Sequence, residues 1–176
     1  MDAIEHLQHL RTHLTSQNET LISEVRTLID SYWDYFHDEN KRISQLHATG
    51  QISTSEININ SVAPVIELRG NTNYSLKKPY IVWKRHSARF RKNLKVKAQI
   101  SGQPSMSLHS YASMDVSSIL TKECTWNAPK ALELESKLIH YRVLLNTLHE
   151  LIKKTSATIR SLEKSNAKKL KENTND

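Results

Sequence analysis

The sequence predicts an α+β fold: two long helices pack antiparallel, like a coiled coil, with a small antiparallel β-sheet inserted between them. Apolar residues recur at spacings of three and four near both ends of the 176-residue chain, as on one face of a helix. Between those ends, apolar and polar residues alternate, as in a strand with one buried face. The length suits one domain, and we expect residues 1–176 to form one.

The N-terminal segment, residues 2–49, is predicted to be helical and to end at Gly50. Its apolar seam is interrupted around Asn18, which fits one long helix with a polar layer. It also fits a short helix followed by a main one, because Ser16 and Glu19 have the spacing of a capping box. The seam contains Leu7, Leu14, Leu21, Leu28 and Tyr35, completed by Val25 and Tyr32 and widened by Leu10, Ile22, Ile29 and Phe36.

The C-terminal segment, residues 115–165, is predicted to form a short helix and then a long one from about residue 128 to 164. The polar residues 166–176 are expected to be disordered. An isolated helix with such a stripe would expose it, so it must pair. The first choice is the N-terminal helix of the same chain, and the second is a homodimer. The stripe contains Ala131, Leu134, Leu138, Tyr141, Leu145, Leu148, Ile152, Thr155, Ile159 and Leu162.

Residues 52–114 are predicted to form a basic β block. Residues 78–84 and 89–100 have the pattern of strands, while Pro64 indicates a bulge or an edge in an earlier strand. Trp83 is expected in the core, although it and Tyr80 could stack on bases. The aromatic residues at 32–36 are expected to pack on the apolar side of the strand at 90–100; a protein-docking surface is the alternative.

The charge of the chain is concentrated in that block. The net charge is +7, yet residues 68–114 contain ten basic residues and no acidic one, so the other 129 residues carry a net charge of −3. Clustered cations gain affinity for phosphates by displacing counterions, so a nucleic acid is the preferred partner over a merely soluble basic face. The predicted contact residues are Lys77, Lys78, Lys84, Arg85, Arg89, Arg91, Lys92, Lys95 and Lys97.

No residue pattern indicates an enzyme. Three glycines exclude a Gly-rich Rossmann or P-loop domain, and the single cysteine, Cys124, has no identifiable base. We therefore expect no catalytic residues, no metal and no cofactor. The remaining polar groups are interpreted as solvated helix faces: His6, His9 and His13, and the pairs Asp30 with Asp34 and Glu133 with Glu135.

The start of the chain carries acids and histidines where a signal peptide would be basic and then apolar. No apolar run approaches the ~20 residues that span a bilayer. We therefore expect a soluble, cytoplasmic protein with no membrane partner.

The order of these segments resembles the MobI proteins of integrative and conjugative elements and large conjugative plasmids, over roughly residues 15–160. That resemblance implies an accessory protein of the relaxosome, which acts at the origin of transfer beside a relaxase and leaves the strand cut to that partner. No catalytic residues carry over. The matching segments are YWDYFHDENKR at 32–42, IVW at 81–83, KRHSARFRKNLKVK at 84–97 and TWNAPKALELESKL at 125–138.

The sequence thus predicts a non-enzymatic protein that binds nucleic acid, with duplex DNA preferred, and positions another protein. The alternative is a coiled-coil adaptor, or a structural protein of a phage or mobile element, whose basic face binds an acidic partner. A homodimer remains open in either case.

Overall fold

The computed structural model describes residues 2–52, 60–70, 77–87, 117, 120–121 and 127–173. These residues form two long helices packed together with a two-stranded antiparallel sheet, which confirms the α+β prediction. The elements in chain order are α1 (Ala3–Ala48), β1 (Asn60–Arg69), β2 (Lys78–Ser87) and α2 (Ala128–Asn173).

α1 is one continuous helix, so the first of the two alternatives, one long helix with a polar layer, is the one observed. The helix begins where the backbone N–H of Asp2 donates to the Glu5 carboxylate at 2.9 Å, and it ends before Gly50, whose φ of 72° suits glycine. The interruption in the apolar seam is a polar layer within the helix, because Asn18 is buried.

The two helices run antiparallel. The side-chain amide of Asn127, just before α2, donates to the Tyr32 hydroxyl at 2.7 Å. The Tyr141 hydroxyl donates to Glu24 at 3.1 Å. Residues nearer the start of α1 therefore contact residues further along α2, as in an antiparallel pair. The predicted pairing of the two helices within one chain is confirmed.

On α1, the residues at the centre of the helix contact are not the leucines of the predicted heptad but the neighbouring row of residues along the helix. Asn18, Val25, Ile29, Tyr32 and Phe36 are buried. The leucines at 7, 14, 21 and 28 are only half-buried, at the edge of the contact. On α2, seven of the ten predicted stripe residues are buried; Tyr141, Leu148 and Leu162 are half-buried.

α2 is longer than predicted, because it continues to Asn173 where residues 166–176 were expected to be disordered. Residues 166–173 contain no Gly or Pro and are rich in Ala, Leu, Lys and Glu, which have high helix propensity. Lysines near a helix C-terminus also interact favourably with the helix dipole. Propensity and dipole thus favour the extension, in which residues 166–169 are exposed.

β1 and β2 form a hairpin in which Pro64 lies opposite Trp83 and Glu67 lies opposite Tyr80. One face packs on the helices through buried Ile81 and Trp83. The predicted strand at 89–100 lies outside the described residues. Of the predicted short helix, Ser117, Leu120 and Thr121 are described and helical.

The aromatic residues of α1 pack on this hairpin. The Tyr32 and Trp83 rings meet edge to face, with centroids 5.5 Å apart, and the Trp33 indole N–H donates to the Pro64 carbonyl at 3.1 Å. Their predicted partner, the strand at 90–100, is outside the described residues. Within the parts of the chain that the structure describes, no helix is both long and apolar enough to cross a bilayer.

Candidate nucleic-acid interface

The face of the hairpin opposite to Trp83 carries the charged residues. Alternation along β2 places Lys78, Tyr80 and Lys84 on this face. The antiparallel register adds Glu67 and Arg69 from β1, with Arg69 opposite Lys78. This face therefore combines three cations, one carboxylate and one aromatic ring with two buried apolar residues, Ala63 and Val82.

Glu67 neutralises part of this charge. Its carboxylate forms ion pairs with both Lys84 and Arg69, and the Arg69 Nε–H donates to it at 2.7 Å. The hydrogen bond from Lys84 is the largest cause that lowers the pKa of Glu67, followed by that from Arg69, while burial opposes them. Lys84 is thus already engaged by a carboxylate of its own hairpin. Glu67 lies one residue before the acid-free stretch, so counting charges along the chain missed it.

Tyr80 is in contact with two cations of its own hairpin. The Arg69 guanidinium carbon lies 5.0 Å from the ring centroid, and the Lys78 ammonium nitrogen lies 5.5 Å from it. Both distances are within the range of cation–π attraction. The ring therefore orders the two cations at this end of the hairpin.

α2 adds two residues to this end of the hairpin. Burial is the largest cause that lowers the pKa of His149, and the positive charges of Lys78 and Lys153 lower it further. The ammonium groups of Lys78 and Lys153 thus both act on this imidazole, while the Glu150 carboxylate opposes them. We call Arg69, Lys77, Lys78 and Lys153 the basic cluster. Its α2 member, Lys153, is about 70 residues from the hairpin in sequence, which is why the sequence did not associate it.

Three of the nine predicted contact residues have described side chains. Lys77 is exposed, Lys78 is half-buried against Tyr80, and Lys84 is paired with Glu67. Arg85 lies in β2, but its side chain is outside the described part. Trp83 is fully buried, as predicted. The residues that lie outside the described ranges altogether are Arg89, Arg91, Lys92, Lys95 and Lys97.

A buried polar network fixes β2 against α2. Arg142 donates two hydrogen bonds to Glu135, at 2.6 and 2.8 Å, and a third to the Ile81 carbonyl at 3.0 Å. The Trp83 indole N–H donates to Glu135 at 2.7 Å. Because a fully hydrogen-bonded ion pair can be buried, the prediction that Glu135 lies on a solvated face is wrong; its predicted companion, Glu133, is exposed.

The sequence contains a signal for this network that was missed. Glu135, Arg142 and His149 are seven residues apart, so they form one column on α2 beside the buried apolar one. All three make contact with β2 or lie near it. Ionisable residues at seven-residue spacing, next to the buried apolar stripe, thus indicated which face of α2 packs against the sheet.

The other sequence candidates do not converge on a site. His6, His9 and His13 are exposed on α1. Within the described ranges, no group of three or more His, Cys, Asp or Glu side chains is placed to hold a metal ion. Comparison with protein-family models, curated proteins and solved structures finds no match for this chain.

Proposed function

We propose that this protein is a non-enzymatic accessory protein that binds nucleic acid, preferably duplex DNA, through its basic block. The observation that carries the proposal is the stretch of 47 residues with ten basic residues and no acidic one. Three residues of the basic cluster, Arg69, Lys77 and Lys78, lie at the beginning of that stretch, where the hairpin is anchored to α2. Such a surface binds phosphates and releases counterions.

The proposed surface positions the protein on a nucleic-acid backbone without reading its sequence, because contacts to phosphates carry no base information. The resemblance to MobI proteins supports a more specific role. In that role the protein binds at an origin of transfer and assists a relaxase during conjugative DNA transfer. Strand cleavage then belongs to the relaxase.

The test is fluorescence anisotropy with labelled duplex DNA, single-stranded DNA and RNA over a range of salt concentrations. We expect the logarithm of the binding constant to fall with the logarithm of salt concentration at a slope of about −4 to −6, which corresponds to roughly five or six phosphate contacts. The triple variant Lys77→Gln, Lys78→Gln, Lys153→Gln should reduce the magnitude of that slope by about 2 to 3.

The matched control is Arg11→Gln, Arg26→Gln, Lys41→Gln, which removes the same charge from exposed positions on α1. It should bind like the unmodified protein apart from a small nonspecific loss. Equal losses in the two variants would contradict the placement of the site. An absence of binding to all three nucleic acids at low salt would overturn the proposal and favour the adaptor with an acidic protein partner.

A further inference from the structure

The two halves of α2 differ in charge. Residues 128–150 contain three basic and three acidic residues, whereas residues 151–169 contain six basic residues and one acidic residue. In the first half, opposite charges pair along the helix, since Glu133 forms ion pairs with Lys130 at 2.8 Å and with Lys137 at 3.0 Å. Such mixing of signs is typical of a helix face that only meets solvent. The second half of α2 departs from that pattern.

Four cations of the second half share one side of α2. Lys153, Arg160, Lys164 and Lys168 are spaced by seven, four and four residues, so they fall within roughly 80° of the helix circumference. All four side chains are exposed. The Nε–H of Arg160 donates to the Ser156 carbonyl at 3.2 Å, which uses one of the five N–H groups of the guanidinium. We call these four residues the basic ridge.

The basic ridge does not stabilise its own helix. Among the residues that the structure describes, no carboxylate forms an ion pair with Lys153, Arg160 or Lys164. Like charges four residues apart destabilise a helix, and both Arg160 with Lys164 and Lys164 with Lys168 have that spacing. The helix dipole favours cations within the last turn, but Lys164 lies nine residues before the last helical residue, Asn173. The charges of the ridge therefore call for a partner outside the helix.

The basic ridge begins at the basic cluster, because Lys153 belongs to both. Arg142 donates to the Ile81 carbonyl of β2, and Lys78 lies three residues before Ile81 on the same strand. One heptad after Arg142, the ammonium groups of Lys78 and Lys153 both act on the His149 imidazole. The start of β2 thus lies beside the point on α2 where the ridge starts. The ridge continues the positive charge of the cluster along α2, away from the hairpin.

The far end of the basic ridge is open on all sides. Ile159 is buried and Leu162 is half-buried, whereas every side chain of residues 163–169 is exposed. No other element of the described structure therefore covers Lys164 or Lys168, and an extended partner can approach both.

The length of the basic ridge suits a nucleic-acid backbone. Lys153 and Lys168 are 15 residues apart, which is about 22 Å of helix. Each strand of a duplex carries one phosphate per 3.4 Å of its axis, so about six phosphates of one strand lie within that length. A row of exposed cations along a straight helix can therefore follow several phosphates.

We propose that the basic ridge is a second contact surface for the phosphate backbone of duplex DNA, which extends the basic cluster along α2. This inference rests on the proposed function. An acidic protein is the other polyanion that such a row could bind, but protein interfaces usually have large apolar or aromatic anchors at their centre. The residues between the cations on this side of α2 include the small Ala157 and Ala167. A polar, strongly positive surface of this kind is typical of an interface with DNA.

The test is fluorescence anisotropy of the full chain with labelled duplex DNA over a range of salt concentrations. The triple variant Arg160→Gln, Lys164→Gln, Lys168→Gln leaves the basic cluster intact. It should reduce the magnitude of the salt slope by about 2 to 3, equally for duplexes of different sequence.

Two controls separate charge from structure. The charge-retaining variant Arg160→Lys, Lys164→Arg, Lys168→Arg should bind like the unmodified protein. The α1 variant Arg11→Gln, Arg26→Gln, Lys41→Gln removes the same charge from exposed positions elsewhere and should retain the slope. Helical circular dichroism should be the same for all variants. If it falls in the triple Gln variant, the three single Gln variants are measured instead, and each should reduce the slope by about 1.

The outcomes distinguish the basic ridge from the proposed function. If the unmodified protein does not bind DNA, the proposed function fails and the ridge fails with it. If the unmodified protein binds and the triple Gln variant keeps the same slope, the ridge alone is overturned, and an acidic protein becomes the better candidate for its partner. A loss of binding in the charge-retaining variant, or an equal loss in the α1 variant, would also overturn the ridge.

Discussion

Arg142 and Glu135 form a two-pronged ion pair along one side of α2, two turns apart, with 9% and 2% of their surfaces exposed. Each is also bonded to β2, Arg142 through the Ile81 carbonyl and Glu135 through the Trp83 indole. The pair therefore joins the helix to the hairpin. The two charged groups are buried at this junction, and each is hydrogen-bonded to the other and to β2. Without such bonds, removing these charges from water would be too costly.

Arg142→Met should destabilise the protein by about 3–5 kcal/mol, because it leaves the Glu135 carboxylate buried without its cation. Urea unfolding followed by circular dichroism measures this loss. The double variant Glu135→Leu, Arg142→Met should recover much of it, since no charge is then stranded. Lys137→Met, at an exposed residue paired with Glu133, is the control and should leave stability nearly unchanged, because solvent screens that pair. A double variant less stable than Arg142→Met would contradict this account.

Trp83→Phe should lower the free energy of unfolding by about 1–3 kcal/mol in addition to the effect of the lost packing, because the buried Glu135 carboxylate loses a hydrogen-bond donor. Trp33→Phe removes an indole donor from a half-buried site, where its acceptor is the Pro64 carbonyl. We expect the smaller loss there, since water can replace that donor more readily. Urea unfolding of both variants compares them, and an equal or larger loss for Trp33→Phe would show that the Glu135 bond contributes little.

Stability should fall as the pH drops below about 6.5, the ordinary pKa of histidine. The lowered pKa of His149 means that the unfolded chain takes up its proton more readily than the folded protein. The contribution of neutral His149 to the free energy of unfolding is therefore fully present above pH 6.5. It is lost as the pH falls through 6.5 towards the lower pKa of His149 in the folded protein. Urea unfolding between pH 8 and pH 5 measures the decline.

His149→Gln should flatten that decline, while His140→Gln, at an exposed position on the same helix, should retain it. If both variants lost stability with falling pH as steeply as the unmodified protein, the burial of His149 beside Lys78 and Lys153 would not be the cause.

Asn18→Leu should stabilise the helix pair by about 1–3 kcal/mol. Asn18 is buried in the seam, and its side-chain oxygen has no hydrogen-bond partner among the described residues, which carries a penalty of that size. Thermal unfolding measures the gain, and Gln17→Leu, at the exposed neighbouring position, should give none. A buried Asn in a helix seam can also fix the alignment of the helices, so the more stable variant should show less specific pairing. A loss of stability in Asn18→Leu would contradict this assignment.

The sequence predicted the two helices and their pairing because apolar spacing indicates which face of a helix is buried, although it centred the α1 seam on the half-buried leucine heptad. It missed how charges combine across the fold. Glu135 was assigned to solvent, because its neutralising partner lies seven residues away on the same helix and its other contact, Trp83, is 52 residues away. Glu67 and Lys153 were likewise not associated with the basic block, since only the register of the hairpin and its packing on α2 bring them there.

Antiparallel pairing of the two ends of the chain also sets the order of events during synthesis. Glu24 and Tyr141 are 117 residues apart, and Tyr32 and Asn127 are 95 apart. A ribosome adds about 5–20 residues each second, so α1 emerges roughly 5 to 25 seconds before the part of α2 that covers it. During that interval its apolar stripe is exposed on the nascent chain. Pairing of α1 must therefore wait for α2, so the apolar stripe of the newly made N-terminal half stays uncovered until the second helix follows.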